Sequence, residues 1–152
     1  MGHRSHTELY YHLVWSTYAR RPLIDGSWEE QLYEMLAKKC LALRCRPIEI
    51  NGVEDHVHVL LRGNTNVSPA VIVHDLKGAS SYTVNKLELC ETRFDWNERY
   101  GAFSVSPRFV ETVARYIRNQ KRHHGGRGRV KKEWERDESL SRDGNMEGDC
   151  TG

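Results

Sequence analysis

Asp55-His56-Val57-His58-Val59-Leu60-Leu61 reads as a buried strand, and the rest of the chain is arranged about it. Side chains alternate along a strand, so His56 and His58 share one face while Val57, Val59 and Leu61 share the other. Two neighbouring imidazoles can grip one metal ion if a third ligand arrives from elsewhere. A lone His-x-His is equally the polar side of a half-exposed strand, so a second stretch has to decide.

That stretch is Val113-Ala114-Arg115-Tyr116-Ile117-Arg118-Asn119-Gln120, followed by Lys121-Arg122-His123-His124. Helical spacing sets Val110, Val113, Ala114 and Ile117 on one stripe, with Tyr116, Gln120 and His123 on the next. Four residues apart, the Tyr116 phenol and the Gln120 amide can both face a metal held by the two histidines. Taken singly, Tyr116 reads as core or interface and Gln120 as surface. The combination carries the chemistry.

The flanking segments build one domain. Residues 8–17 alternate as a first strand, rich in aromatic and branched side chains. Ser27 with Glu30 suggests a capping box for a first helix, whose apolar stripe is Trp28, Leu32, Leu36, Cys40 and Leu43 and which should stop before Pro47. Ile48 and Ile50 mark a second strand, turned back through residues 52–55 into the His56 strand. Ser68-Pro69 opens a second helix running towards Leu89, residues 102–106 form a last strand, and Pro107 opens the Tyr116 helix. This order predicts an α+β, ferredoxin-like split βαβ sheet with helices on one face and a further C-terminal helix carrying the tyrosine. The domain is expected over residues 1–135, with a disordered polar tail over 136–152.

Together these residues resemble a family. His56-x-His58 in a strand, then Tyr116-x-x-Asn119-Gln120 and a His-His pair, is similar to the single-tyrosine HUH transposases of the IS200-like insertion-sequence type, including the REP-associated branch. The likeness extends to His12-Leu13-Val14-Trp15-Ser16-Thr17, to Arg20-Arg21-Pro22, to Leu76-Lys77-Gly78-Ala79-Ser80-Ser81 and to Tyr100-Gly101-Ala102-Phe103-Ser104-Val105-Ser106, so it covers roughly residues 10–124. After His124 the chain departs from the pattern, since Gly125-Gly126-Arg127-Gly128-Arg129 replaces a basic, then Ser-Phe-rich, helical stretch.

The resemblance implies a transposase that nicks and rejoins single-stranded DNA near hairpins. Tyr116 would be the nucleophile, leaving a covalent 5′-phosphotyrosine link and a free 3′-hydroxyl. A free phenol has a pKa of about 10 and is mostly neutral at cytosolic pH, so a nearby cation is needed to favour phenolate and draw charge from the phosphate. His56, His58 and Gln120 are the expected ligands, and a mixed nitrogen and oxygen set suits Mg2+ or Mn2+. Asp55 and Glu54 are read first as exposed loop carboxylates and second as groups that orient an imidazole. Arg20, Arg21, Lys77, Arg115, Arg118, Lys121 and Arg122 are candidates for backbone phosphates; His123 and His124 are candidates for phosphate, for a place beside the metal, or equally for the terminal carbonyls of the helix. Tyr10, Tyr82 and Tyr100 read as core, with base stacking as the alternative. The family further implies a homodimer in which active sites can be shared between subunits.

Composition is compatible with this reading and excludes others. A chain of 152 residues fits one domain with a real core. With 23 Lys and Arg against 21 Asp and Glu, net charge says little about nucleic acid; distribution says more, because basic residues gather at Arg20-Arg21 and over 115–132 while acidic ones gather in the tail. Cys40, Cys45, Cys90 and Cys150 form no metal or disulfide framework and lie in no motif that supplies a base, which argues against a catalytic thiol. No secretory or transmembrane run is present, and a cytoplasmic protein is expected. Two rival readings stand beside the transposase: a non-catalytic, domesticated module that binds hairpin DNA or RNA on the same fold, and a replication initiator or relaxase, for which the chain is short.

Overall fold

The computed structural model describes residues 5–121. The elements are β1 (Tyr10–Ser16), α1 (Glu29–Ala42), β2 (Arg46–Val53), β3 (His56–Arg62), α2 (Pro69–Lys86), β4 (Gly101–Val105) and α3 (Val110–Arg118). The strands form one antiparallel sheet in the order β2-β3-β1-β4, which is the split βαβ arrangement read from the sequence. Arg122, His123 and His124, the expected domain end at 135 and the tail over 136–152 lie outside the described residues.

Strand alternation divides the sheet into two surfaces. Leu13 and Trp15 of β1 and Val57, Val59 and Leu61 of β3 point to one side, where they pack with Leu32, Leu36 and Cys40 of α1 and Ile72, Val73, Leu76 and Val84 of α2. Each fully buried aliphatic side chain there contributes roughly 1.5–3 kcal/mol. The opposite side carries a smaller apolar cluster, in which Leu60 and Val105 meet Ala114, Tyr116 and Ile117 of α3. That helix therefore lies across the face on which His56 and His58 stand.

Local signals explain most boundaries. Ser68 caps α2 by accepting the Val71 N–H at 3.2 Å, with Pro69 in the first turn. At α1 the expected Ser27 cap is replaced: Asp25 Oδ1 accepts the Ser27 N–H at 2.8 Å, and the Asp25 carbonyl accepts the N–H groups of Trp28 and Glu29. Buried Trp28 keeps a non-helical φ of −131° and stacks edge-on against Phe94, so the helix begins one residue later.

Both α1 and α2 end without glycine. Arg44 and Glu88 take φ values of 58° and 51°, and the N–H groups of Cys45 and Leu89 reach back to the carbonyls of Cys40 and Val84 at 2.8 and 3.1 Å. This left-handed turn stops α1 at Ala42, before Pro47 can act. Pro47 is itself inside β2, at a bulge between Pro47 and Glu49. Gly52 also lies within β2 rather than in the turn, where a Cβ would collide with the His56 carbonyl oxygen. The turn is reduced to Glu54 and Asp55.

Candidate nucleic-acid cleavage site

Register brings the polar residues together. Ser16 pairs with His56, Val14 with His58 and His12 with Leu60, so His12 and Ser16 share the α3 side of the sheet with both expected histidines. On β2, Asn51 stands opposite His58 and Val53 opposite His56. His12, Ser16, His56 and His58 are all buried, as is Gln120, which is 0 % exposed. Burying polar side chains costs free energy unless each is partnered, and a group of them beneath one helix marks a built site.

The two expected imidazoles are held differently. His56 Nδ1 donates to Asp55 Oδ1 at 2.7 Å, and Arg20 Nε donates to the other carboxylate oxygen at 3.2 Å. Burial alone would raise the Asp55 pKa, but the His56 hydrogen bond and the charges of His56 and Arg20 outweigh it and bring the group down to about 2. Asp55 is thus an orienting group and not an idle loop carboxylate. Arg20 reaches it from a strained bend in which Ala19 and Arg20 both have a φ of 53°.

His58 Nδ1 lies 2.9 Å from His12 Nε2, with the rings stacked 5.1 Å apart at 21°. The sequence alone places His12 only in the opening motif and not among the site residues. Its odd-even position on β1, opposite a β3 strand with two histidines, was the available signal.

Tyr116 completes the upper side. Its ring lies 6.0 Å from that of His58, nearly perpendicular, and it is 7 % exposed. The regular helix ends at Arg118, so Gln120 follows a break at Asn119 and is not on an uninterrupted turn with Tyr116. The chain around Gln120 is nevertheless pinned at the level of the histidines. Asn51 Nδ2 donates to the carbonyls of Ile117 and Arg118, both at 3.0 Å, and Lys121 Nζ donates to Asn51 Oδ1 at 3.0 Å. These bonds satisfy carbonyls that the helix end leaves open.

The proposed DNA-contacting cations fall into two groups. Arg20 is engaged with Asp55, Arg118 with Glu49 at 3.2 Å, and Lys121 with Glu29 at 3.3 Å. Lys77 donates to the carbonyls of Asn97 and Arg99 at 2.6 and 3.1 Å, and burial lowers its pKa, so it fastens the 97–99 segment. Arg21 and Arg115 are exposed and, among the described residues, form no ion pair. Of the tyrosines, Tyr10 packs against the smaller core, whereas Tyr82 and Tyr100 are exposed.

The donor set is compatible with a divalent cation. Each histidine has committed Nδ1 to an orienting partner, so Nε2 is the nitrogen through which either ring can ligate. Among the described residues no three His, Cys, Asp or Glu side chains are disposed to share one ion. Gln120 is buried and lies two residues past the Arg118 carbonyl that Asn51, the register partner of His58, holds, which makes it the candidate for the oxygen ligand. Cys40 and Cys45 are remote from this chemistry: burial pushes the Cys40 thiol up to about 12 and raises that of Cys45.

The sheet carries α1 and α2 on one side and α3, with Tyr116, over the histidine strand on the other, and solved transposase structures share this fold. The structure overlays a REP-associated tyrosine transposase bound to a REP hairpin with a TM-score of 0.61 at 11% identity, covering 82% of this chain and 75% of that one. It overlays a transposase-class protein from Deinococcus radiodurans R1, known from a 1.90 Å crystal structure, with a TM-score of 0.63 at 24% identity, covering 79% and 96%. The ISDra2 transposase TnpA of Deinococcus radiodurans is 28% identical over 119 residues, 74% of this chain and 84% of the relative. The profile of the IS200-like transposases matches residues 5–120, and the chain belongs to that family. No helix among the described residues is long and apolar enough to cross a membrane.

Proposed function

We propose that the protein nicks and rejoins single-stranded DNA through Tyr116, with Mg2+ or Mn2+ held by His56, His58 and Gln120. The observation that carries this reading is the Tyr116 ring resting 6.0 Å from the ring of His58 over a buried polar group. In the step, Tyr116 Oη attacks phosphorus, its proton passes to solvent, the bond to the 3′ oxygen breaks and that oxygen takes up a proton. A 5′-phosphotyrosine and a free 3′-hydroxyl remain. Reversal regenerates the strand without ATP, because the ester stores the energy of the broken bond. A cation held by His56, His58 and Gln120 would supply charge that stabilises phenolate and phosphate together.

This chain's own residues supply the positioning. Asp55 and Arg20 orient His56, and Asn51 holds the end of α3 so that Tyr116 stays over the histidines. Arg21 and Arg115, exposed and outside ion pairs among the described residues, are the leading phosphate contacts, which makes binding salt-sensitive. The relative bound to a REP hairpin supports a substrate with a hairpin beside the cleaved strand. Because tyrosine and histidines lie close within one chain, the arrangement favours cleavage in cis. In a homodimer each copy would carry a whole site, acting on cytoplasmic DNA.

The test is incubation of purified protein with Mn2+ and hairpin-bearing single-stranded oligonucleotides. A covalent adduct is expected on a denaturing gel, absent for Tyr116→Phe. Binding without any adduct, unaltered in His58→Ala, would instead indicate the non-catalytic hairpin-binding module.

A further inference from the structure

The geometry points to His12 as a positioning residue that sets the tautomer and ring orientation of His58. The inference deepens the proposed function and rests on it. His12 is 1 % exposed on β1, its Nε2 lies 2.9 Å from His58 Nδ1, and the two rings are stacked. Phe103, its partner on β4, lies 6.0 Å away between ring centroids and fills space beside it.

Proton bookkeeping makes the pairing directional. A neutral imidazole carries one N–H, and a metal takes the lone pair of the other nitrogen. For His58 to present Nε2, its proton must sit on Nδ1 and be donated to His12 Nε2. His12 must then accept there and carry its own proton on Nδ1. The opposite arrangement, His12 donating from Nε2, would place the His58 proton on Nε2 and block it as a ligand.

His56 solves the same problem with a carboxylate, since Asp55 can only accept. The site therefore orients one imidazole through a charged acceptor and the other through a neutral one. A second carboxylate in the His12 position would add negative charge where a DNA phosphate has to approach. A neutral acceptor on the neighbouring strand fixes the ring without that penalty. His12 does not serve as a ligand in this arrangement, because its Nε2 is committed to His58 and its Nδ1 carries the proton.

The experiment uses the full chain with two substitutions and two readouts. Nitrogen-detected NMR of the imidazoles in metal-free protein should show the His58 proton on Nδ1 in the wild type. His12→Phe, which keeps a ring but removes the acceptor, should lose that preference. His12→Gln, whose carbonyl oxygen reaches about as far as Nε2, should restore it. Mn2+ binding followed by electron paramagnetic resonance should weaken by about 10–100-fold in His12→Phe and return to within about threefold in His12→Gln. A His58 proton on Nε2 in the wild type overturns the assignment, whether or not the Phe variant folds. So does Mn2+ affinity in folded His12→Phe within twofold of the wild type. Absence of Mn2+ and Mg2+ binding by the wild type, with the His58 proton on Nδ1, overturns the metal-dependent function while leaving the orienting bond established.

Discussion

The two faces of the sheet are made by the same strands and obey opposite rules. On the α1 and α2 side, Leu13, Trp15, Val57, Val59 and Leu61 meet apolar helix residues, and burial removes hydrocarbon from water. On the α3 side the alternate positions of the same strands bury His12, Ser16, His56 and His58. Hydrogen bonds there return what desolvation takes and contribute little net stability. The first face holds the fold, and the second uses the resulting rigidity to hold imidazoles at fixed angles beneath Tyr116.

The separation can be broken from either side. His58→Leu should lower DNA cleavage by at least about 10³-fold, on the order of 4 kcal/mol in the barrier, because it removes a proposed ligand. Its urea midpoint should shift little, because replacing a buried polar side chain by an apolar one offsets much of the roughly 1–3 kcal/mol lost when buried His12 is left without its His58 partner. A large loss of stability would show that the histidine face supports the fold after all. Leu61→Ala on the other face should do the reverse, costing about 2–5 kcal/mol in urea unfolding while folded protein keeps its cleavage rate per molecule.

How far each face could be read from the sequence follows from its physics. Period-two alternation places Val57, Val59 and Leu61 against the helices and His56 and His58 opposite, so sheet, core and histidine face were all legible. Ser68-Pro69 is a local signal and gave the start of α2 correctly. The helix ends were hidden because Arg44 and Glu88 occupy left-handed positions where glycine would have announced the turn. His12 was hidden for another reason: its partner is 46 residues away, and only strand register reveals a diagonal neighbour. The fate of each cation was illegible as well, since whether Lys77 or Arg118 is committed depends on carbonyls and carboxylates that tertiary folding brings up.

Smaller effects probe how firmly the active face is supported. Asn51→Ala removes two bonds to the last carbonyls of α3, at Ile117 and Arg118, and should cost about 1–2 kcal/mol. Because the helix end carries Tyr116, cleavage should fall further than the folded fraction does, and hydrogen exchange should quicken in α3 but not in α2. Equal loosening of both helices would mean that Asn51 serves general packing.

The smallest expected effect tests the charged support of His56. The Asp55 pKa is lowered from 3.8 to about 2 on folding, so the stabilising share of its ionised form is complete above about pH 4 and disappears as pH falls towards 2. Partial solvent contact of Asp55 and Arg20 keeps that share to no more than about 1 kcal/mol. Asp55→Asn should therefore lower the urea midpoint slightly at pH 7 and flatten the acid limb between pH 4 and 2, with the two curves converging at the low end. Parallel curves across that range would mean that the carboxylate is not what titrates. Its orienting role would then rest on the hydrogen bond to His56 alone, as the bond between His58 and the neutral ring of His12 already does.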